Sequence, residues 1–391
     1  MRRQKVLHAF GLTVVLLAAV LESSLARAQH YTVLHSFKGI PDGVYPLSNL
    51  LHTNSGVIFG VTLAGGAYGY GTVFQLDQTG AETVLYSFCS VPRCFDGYYP
   101  YGGLVQDARG NLYGTTDAGG SQDDGTVFRL DPRNREKVMH DFTGPPDGKF
   151  PAGTLVQSPH GKLSGTTTFG GEYDYGTIFR VDTEGKETVL YSLEAYPAPG
   201  LLGDSKGNLY GAIQSPGLIF KLESTGKFSV LYSFTDEAAD PNGGLVMDES
   251  GNLYGTTAYG GVGSGDGYGT VFELRRDGKL ISLHNFEGGG DGELPSAGLA
   301  WGPSGESKLY GVTWAGGGSQ CEGLGCGTIF EIDARTHKER VLHRFTGGAD
   351  GGQPEGGLAI DGSGNLYGTA TIGGDFSHCQ QGCGVVFKLS P

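Results

Sequence analysis

Five aspartates open the same short phrase along this 391-residue chain. Asp42, Asp96, Asp147, Asp291 and Asp350 each begin Asp-Gly-x-x-Pro, and Asp240-Pro241 is a shortened copy. A ring of such carboxylates could hold calcium or a polyhydroxylated ligand, since both favour oxygen donors. Asp also opens turns by hydrogen-bonding its own backbone, with Gly following. A turn is needed in every copy, whereas a site needs one location, so recurrence favours the turn. No metal and no cofactor is therefore expected, and calcium is the one cation the pattern could accommodate. A second series, His35, His140, His284 and His343, alternates with Tyr86, Tyr191 and Tyr232 at one strand position. Spread over separate repeats, these histidines predict surface or packing residues rather than a metal centre.

Six cysteines fall in three local pairs, Cys89/Cys94, Cys321/Cys326 and Cys379/Cys383. In an exported chain an even count at short spacing points to disulfides. His378 beside Cys379 raises zinc as the alternative, but zinc sites usually show C-x₂-C spacing.

The phrase that carries these residues occurs seven times. It reads approximately Gly-Gly-Leu-Val-x-Asp-x-x-Gly-Asn-Leu-Tyr-Gly-Thr-Thr, then Gly-Gly, Gly-Thr-Val-Phe-x-Leu and Val-Leu-Tyr-Ser-Phe. Each copy offers four short strands separated by Gly, Asp and Asn turns, as in Gly102–Asp107, Asn111–Thr116, Gly125–Leu130 and Lys137–Phe142. A period of roughly 50 residues with four strands per repeat predicts an all-β fold, a seven-bladed β-propeller of four-stranded blades. The chain starts on a fourth strand (Thr32–Phe37) and ends on a third (Gly384–Leu389), so the N-terminal strand should close the last blade. One domain over residues 29–391 follows.

Residues 1–28 read as a signal peptide: Arg2, Arg3 and Lys5 are followed by an apolar stretch and by Ala26-Arg27-Ala28 as a cleavage site. Without them the chain carries 23 Lys plus Arg against 40 Asp plus Glu, a net charge of −17. That balance disfavours nucleic acid and anionic membranes. No later stretch has the roughly 18 apolar residues of a membrane span. The expectation is a monomer, secreted or periplasmic after cleavage near Ala28.

Connections between the first and second and between the third and fourth strands are short. The other two are long and lie on one face, where function usually rides. Loop aromatics there, including Tyr68, Tyr70, Tyr101, Trp314 and Phe376, suit sugar rings or protein partners. The interval falls to 41 residues between Val189 and Val230, where one link shrinks to Gln214-Ser215-Pro216. This predicts a notch, with Tyr196, Gln214, Tyr259, Tyr268, Tyr173 and Tyr175 as binding residues. The second-strand tyrosines, such as Tyr113 and Tyr254, are expected to stack on glycines of the next blade. At the innermost strand, His52, Gln106, Gln157, Gly203, Met247, Trp301 and Ile360 are expected to face the channel. They contain no carboxylate pair and no Ser-His-Asp set, so no catalytic residue is assigned.

The Leu-Tyr-Gly-Thr-Thr, Gly-Gly and Gly-Thr-Val-Phe-x-Leu phrases resemble the GloVer tandem repeat of exported bacterial proteins, across essentially the whole chain after residue 28. That resemblance implies export but no assigned activity. Members often carry a C-terminal surface anchor, and none follows Ser390-Pro391 here, which favours a soluble exported protein. A weaker similarity to lactonase-like propellers lacks the acidic and amide ligands their chemistry needs. The leading expectation is a non-catalytic module that binds a glycan or protein through the long-loop face. The alternatives are an extracellular enzyme acting on polysaccharide or a lactone, and a structural envelope or matrix component.

Overall fold

Strand formation follows from alternation: Thr-Val-Phe-x-Leu places β-branched and aromatic side chains on a pleat, and Asp-x-x-Gly turns reverse the chain. A computed structural model describes residues 29–234, 240–261, 267–303 and 306–390. The signal segment 1–28 lies outside the described residues. Seven antiparallel blade sheets result, each a meander from the inner to the outer edge, beside one two-stranded ribbon of Gly43–Val44 and Ala64–Gly65. In the second, Val105–Gln106, Leu112–Ala118, Thr126–Leu130 and Glu136–Asp141 follow in that order. No α-helix occurs among the described residues, and the one short 3₁₀ turn is Pro92–Cys94. We number the blades 1 to 7 from Leu51–His52 onward.

Blade 7 is split as expected. Its inner strands are Ala359–Ile360, Leu366–Ala370 and Val385–Ser390, and its outermost is His30–Ser36. Tyr31 lies opposite Leu389 and Val33 opposite Phe387, and the Phe37 amide donates to the Gly384 carbonyl at 3.0 Å. The chain ends thus satisfy one another's backbone groups and close the circle.

The core lies between blades. Every third strand contributes a fully or nearly fully buried Phe (Phe74, Phe128, Phe179, Phe220, Phe272, Phe330, Phe387). Six of these meet a fourth-strand Phe of the preceding blade edge-on, at centroid distances of 5.0 to 5.6 Å. Each ring also lies across a second-strand glycine: a Cβ on Gly114 would sit 2.7 Å from the Phe128 ring. The glycine in Leu-Tyr-Gly thus admits the Phe of its own blade, not a Tyr from the next. The tyrosines instead brace the short turns. Tyr113, Tyr210, Tyr254 and Tyr367 each donate a hydroxyl proton to the turn aspartate six residues earlier, at 3.0 to 3.2 Å.

All three expected disulfides form: Cys89–Cys94, Cys321–Cys326 and Cys379–Cys383. Each staples a loop on the long-loop face.

Candidate functional site

Seven innermost strands can converge only if their backbones nearly touch, and glycine permits this. A Cβ on Gly102 would lie 2.1 Å from the Gly153 carbonyl, and one on Gly153 would lie 2.3 Å from the Gly200 amide. The contact series runs on through Gly244, Gly298 and Gly357 to Asn49. The residues expected along the channel are therefore not there. His52 stacks on Tyr367 at 4.7 Å, Trp301 meets Tyr254 edge-on at 5.0 Å, and Met247 and Ile360 pack into blade seams. Most innermost strands are only two residues long, so their second residue already turns to the neighbouring blade.

The channel opens at the long-loop end into a cavity of about 570 Å³. Two positions per blade lie near this mouth. One follows the recurrent Pro and reads Leu, Tyr, Ala, Ala, Asn, Ser and Glu around the ring. The other follows the second strand and reads Leu, Asp, Thr, Gln, Ala, Trp and Thr. Neither repeats. Tyr101, Asn242 and Glu355 from the first set and Trp314 from the second line the cavity, together with Tyr259 and Asp240. No Lys, Arg or His is among its described lining residues.

Burial pushes the Glu355 carboxyl above the usual range, against the opposing pull of the Trp314 indole N–H. Burial likewise raises Asp240, whose Oδ1 has no hydrogen-bond partner among the described residues, and raises Asp117. Burial, and then the charges of Glu355 and Asp117, push up the Tyr101 hydroxyl. Carboxyl groups held partly out of water without a cation hold their proton more tightly than in water, and they can accept hydrogen bonds from a ligand. Sequence reasoning reached Tyr101 and Trp314 as loop aromatics but missed Glu355, Asp117 and Asn242. Aligning the residue after each recurrent Pro would have exposed Asn242 and Glu355 as departures from the repeat, and aligning the residue after each Gly-Thr-Thr would have exposed Asp117.

The six notch residues are dispersed. Tyr196 meets Tyr175 at 5.0 Å and Phe169 at 5.3 Å, forming a small aromatic rim between blades 3 and 4. Gln214 donates its backbone N–H to Tyr196 and its amide N–H to Asn242 Oδ1, so it links that rim to the mouth. Tyr259 reaches the mouth itself. Tyr268 packs against the blade 5–6 core, and Tyr173 projects outward with its hydroxyl near Glu172 and Glu194. Residues 262–266 of the loop expected to wall the notch lie outside the described residues.

The Asp-Gly-x-x-Pro carboxylates are not at the mouth. Each turns outward to its fourth strand: Asp42 Oδ2 accepts from the His35 ring at 3.1 Å and from the Lys38 amide, and Asp147, Asp291 and Asp350 pair likewise with His140, His284 and His343. The histidines are distant from one another, yet three form clusters with a Glu that sequence analysis overlooked. His35–Asp42–Glu82, His140–Asp147–Glu187 and His284–Asp291–Glu339 each bring ligand atoms within 4.8 Å, the geometry of a candidate cation site. A neighbouring copy assigns the role. Where blade 1 carries Tyr86 instead of His, its hydroxyl donates to Asp96 Oδ2 at 2.7 Å. What persists between these copies is a donor to the aspartate.

The sequence profile of the Gloeobacter/Verrucomicrobia repeat matches residues 22–217 and 212–391. The chain belongs to that family. No curated protein matches it. Among solved structures, virginiamycin B lyase from Staphylococcus aureus superposes with a TM-score of 0.62 at 15% identity, covering 93% of this chain and 99% of that one. A catalytically inactive variant of that lyase with quinupristin gives 0.63 at the same identity and coverage. The extracellular domain of a protein described as a one component system from B. thetaiotaomicron gives 0.58 at 14% identity, covering 92% of this chain and 41% of that one. These likenesses concern the propeller fold.

Proposed function

We propose that this member of the Gloeobacter/Verrucomicrobia repeat family is an exported binding propeller that holds a polyhydroxylated ligand, a glycan, in the mouth of its central channel. The observation that carries this reading is that Tyr101, Tyr259 and Trp314 meet Asn242, Asp240 and Glu355 around one 570 Å³ opening. Flat rings take the apolar faces of sugars, and amide and carboxyl oxygens take their hydroxyls. The three disulfides and the leader-like residues 1–28 agree with an oxidising compartment outside the cytoplasm. No helix among the described residues is long and apolar enough to cross a membrane.

Calorimetric titration of the mature chain with an oligosaccharide panel tests this. Binding that weakens at least tenfold in Tyr101→Ala and Trp314→Ala, both with unchanged melting, supports the site. Undiminished binding by both variants moves it elsewhere. An enzyme is the second reading, favoured by the raised carboxyl of Glu355 beside Tyr101. Product analysis on the same panel separates the two, because a pure binder returns its ligand intact.

A further inference from the structure

The charge of the mouth specifies more than a sugar. Its lining gathers carboxyls from two separate blades, Asp240 from the entry to blade 5 and Glu355 from blade 7, with the charge of Asp117 felt at the Tyr101 hydroxyl, and it includes no basic side chain among the described residues. Elsewhere the buried Glu331 has Lys308 and Arg340 and the buried Glu273 has Arg275, while the half-buried Glu82, Glu187 and Glu339 each lie against a His–Asp pair. At the mouth no Lys, Arg or His among the described lining residues answers the acids, and three aromatic faces stand beside them. A cation held over such rings and against desolvated carboxylates gains from both. The chain's net charge of −17 after residue 28 would also concentrate cations around it.

We propose that the mouth recognises a ligand bearing an ammonium group on a hydroxylated ring, that is, an amino sugar with its amine free. This rests on the glycan-binding reading and narrows its ligand class. The amine faces Glu355 and Asp240, while the ring lies on Tyr101 or Trp314. Acetylation of the amine removes the charge and leaves the acids unanswered. A uronate ring brings like charge to them.

Titration of the full mature chain with a glucosamine oligomer, its N-acetylated counterpart, an oligogalacturonate and spermidine tests the assignment. The expected order is glucosamine oligomer at least tenfold tighter than the N-acetylated form, spermidine weaker than the glucosamine oligomer, and the uronate without detectable binding. Affinity for the glucosamine oligomer should fall about tenfold in Glu355→Gln and should weaken as salt rises. Asp240→Asn supplies a second variant should Glu355→Gln fold poorly. Equal or tighter binding of the N-acetylated oligomer overturns the proposal while leaving glycan binding in place. Spermidine binding as tightly as the sugar overturns the sugar component. If none of the three oligosaccharides binds, the broader reading falls with this one.

Discussion

The blade seams and the channel mouth are built from the same repeat under opposite rules. At the seams most copies supply the same contacts: six set a third-strand Phe against a fourth-strand Phe, and five answer an aspartate with His or Tyr. At the mouth no two copies agree, and the disagreements place an acid, an amide and three aromatic rings around one opening. A closed ring needs seven similar interfaces, and where the fourth-strand ring is lost, at Leu193, another fully buried apolar side chain replaces it. A site needs asymmetry, and a repeat protein gains it only by departing from its pattern. Chemistry is thus to be sought where the repeat fails, and stability where it holds.

The largest consequence of the seam rule concerns the join in blade 7. Deleting residues 29–38 removes fully buried Phe37, the Tyr31 ring stacked on His343 at 3.9 Å and the whole outer ladder of the blade. Melting should drop by about 10 °C or more, with aggregation through the bared edge. Unchanged melting in a differential scanning experiment would show that the ring does not depend on its closure.

The seam clusters next predict a pH effect. Burial, with a neighbouring aspartate, pushes Glu82, Glu136, Glu187 and Glu339 up to about 7 from an ordinary 4.5, and in each the Oε1 has no hydrogen-bond partner among the described residues. A carboxyl raised on folding binds its proton more tightly in the folded state. Its favourable contribution is therefore complete below about pH 4.5 and is lost as pH rises through about 7. Melting should decline between pH 5 and 8 by several degrees. Replacing the four glutamates with Gln should flatten that slope, and an unaltered slope would sink the account.

Third in size are the loop staples. Each closes a ring of about five residues, worth on the order of 2 kcal/mol in the chain-entropy view. Cys326 and Cys383 are fully buried, while Cys89 and Cys94 are only half-buried. Paired serine substitution at Cys89 and Cys94 should therefore cost less than at Cys321 and Cys326, as urea titration would show. Equal costs would mean that burial of the sulfur is irrelevant.

The propeller, its seven blades and the split closure are all readable from residue order, because strand periodicity and turn residues are local signals repeated seven times. The site was only partly so. Tyr101, Tyr259 and Trp314 stood out as loop aromatics. Glu355 did not, since a lone acid beside a Pro carries no local signature, and only the closing of the ring brings it from blade 7 to the opening that Tyr101 of blade 2 also lines. The same long-range geometry turned His52 and Trp301 away from the channel. It also hid Glu82, Glu187 and Glu339, each of which meets its His–Asp pair only across a seam.

The smallest effect separates two tyrosines that sequence placed together. Tyr259 is 42% exposed and lines the mouth, whereas Tyr268 is partly buried against the Phe286–Phe330 seam and its ring lies near Gly288. Removing a seam ring leaves a void and should cost about 2 kcal/mol, while removing an exposed mouth ring should shift stability by no more than about 0.5 kcal/mol. Tyr268→Ala should thus lower melting with ligand affinity retained, and Tyr259→Ala should weaken binding at constant melting. The two substitutions differ by nine positions in one loop region, so any general loosening of that region would affect both alike. The opposite pattern, stability lost at Tyr259 and affinity lost at Tyr268, would place the seam and the mouth the wrong way round.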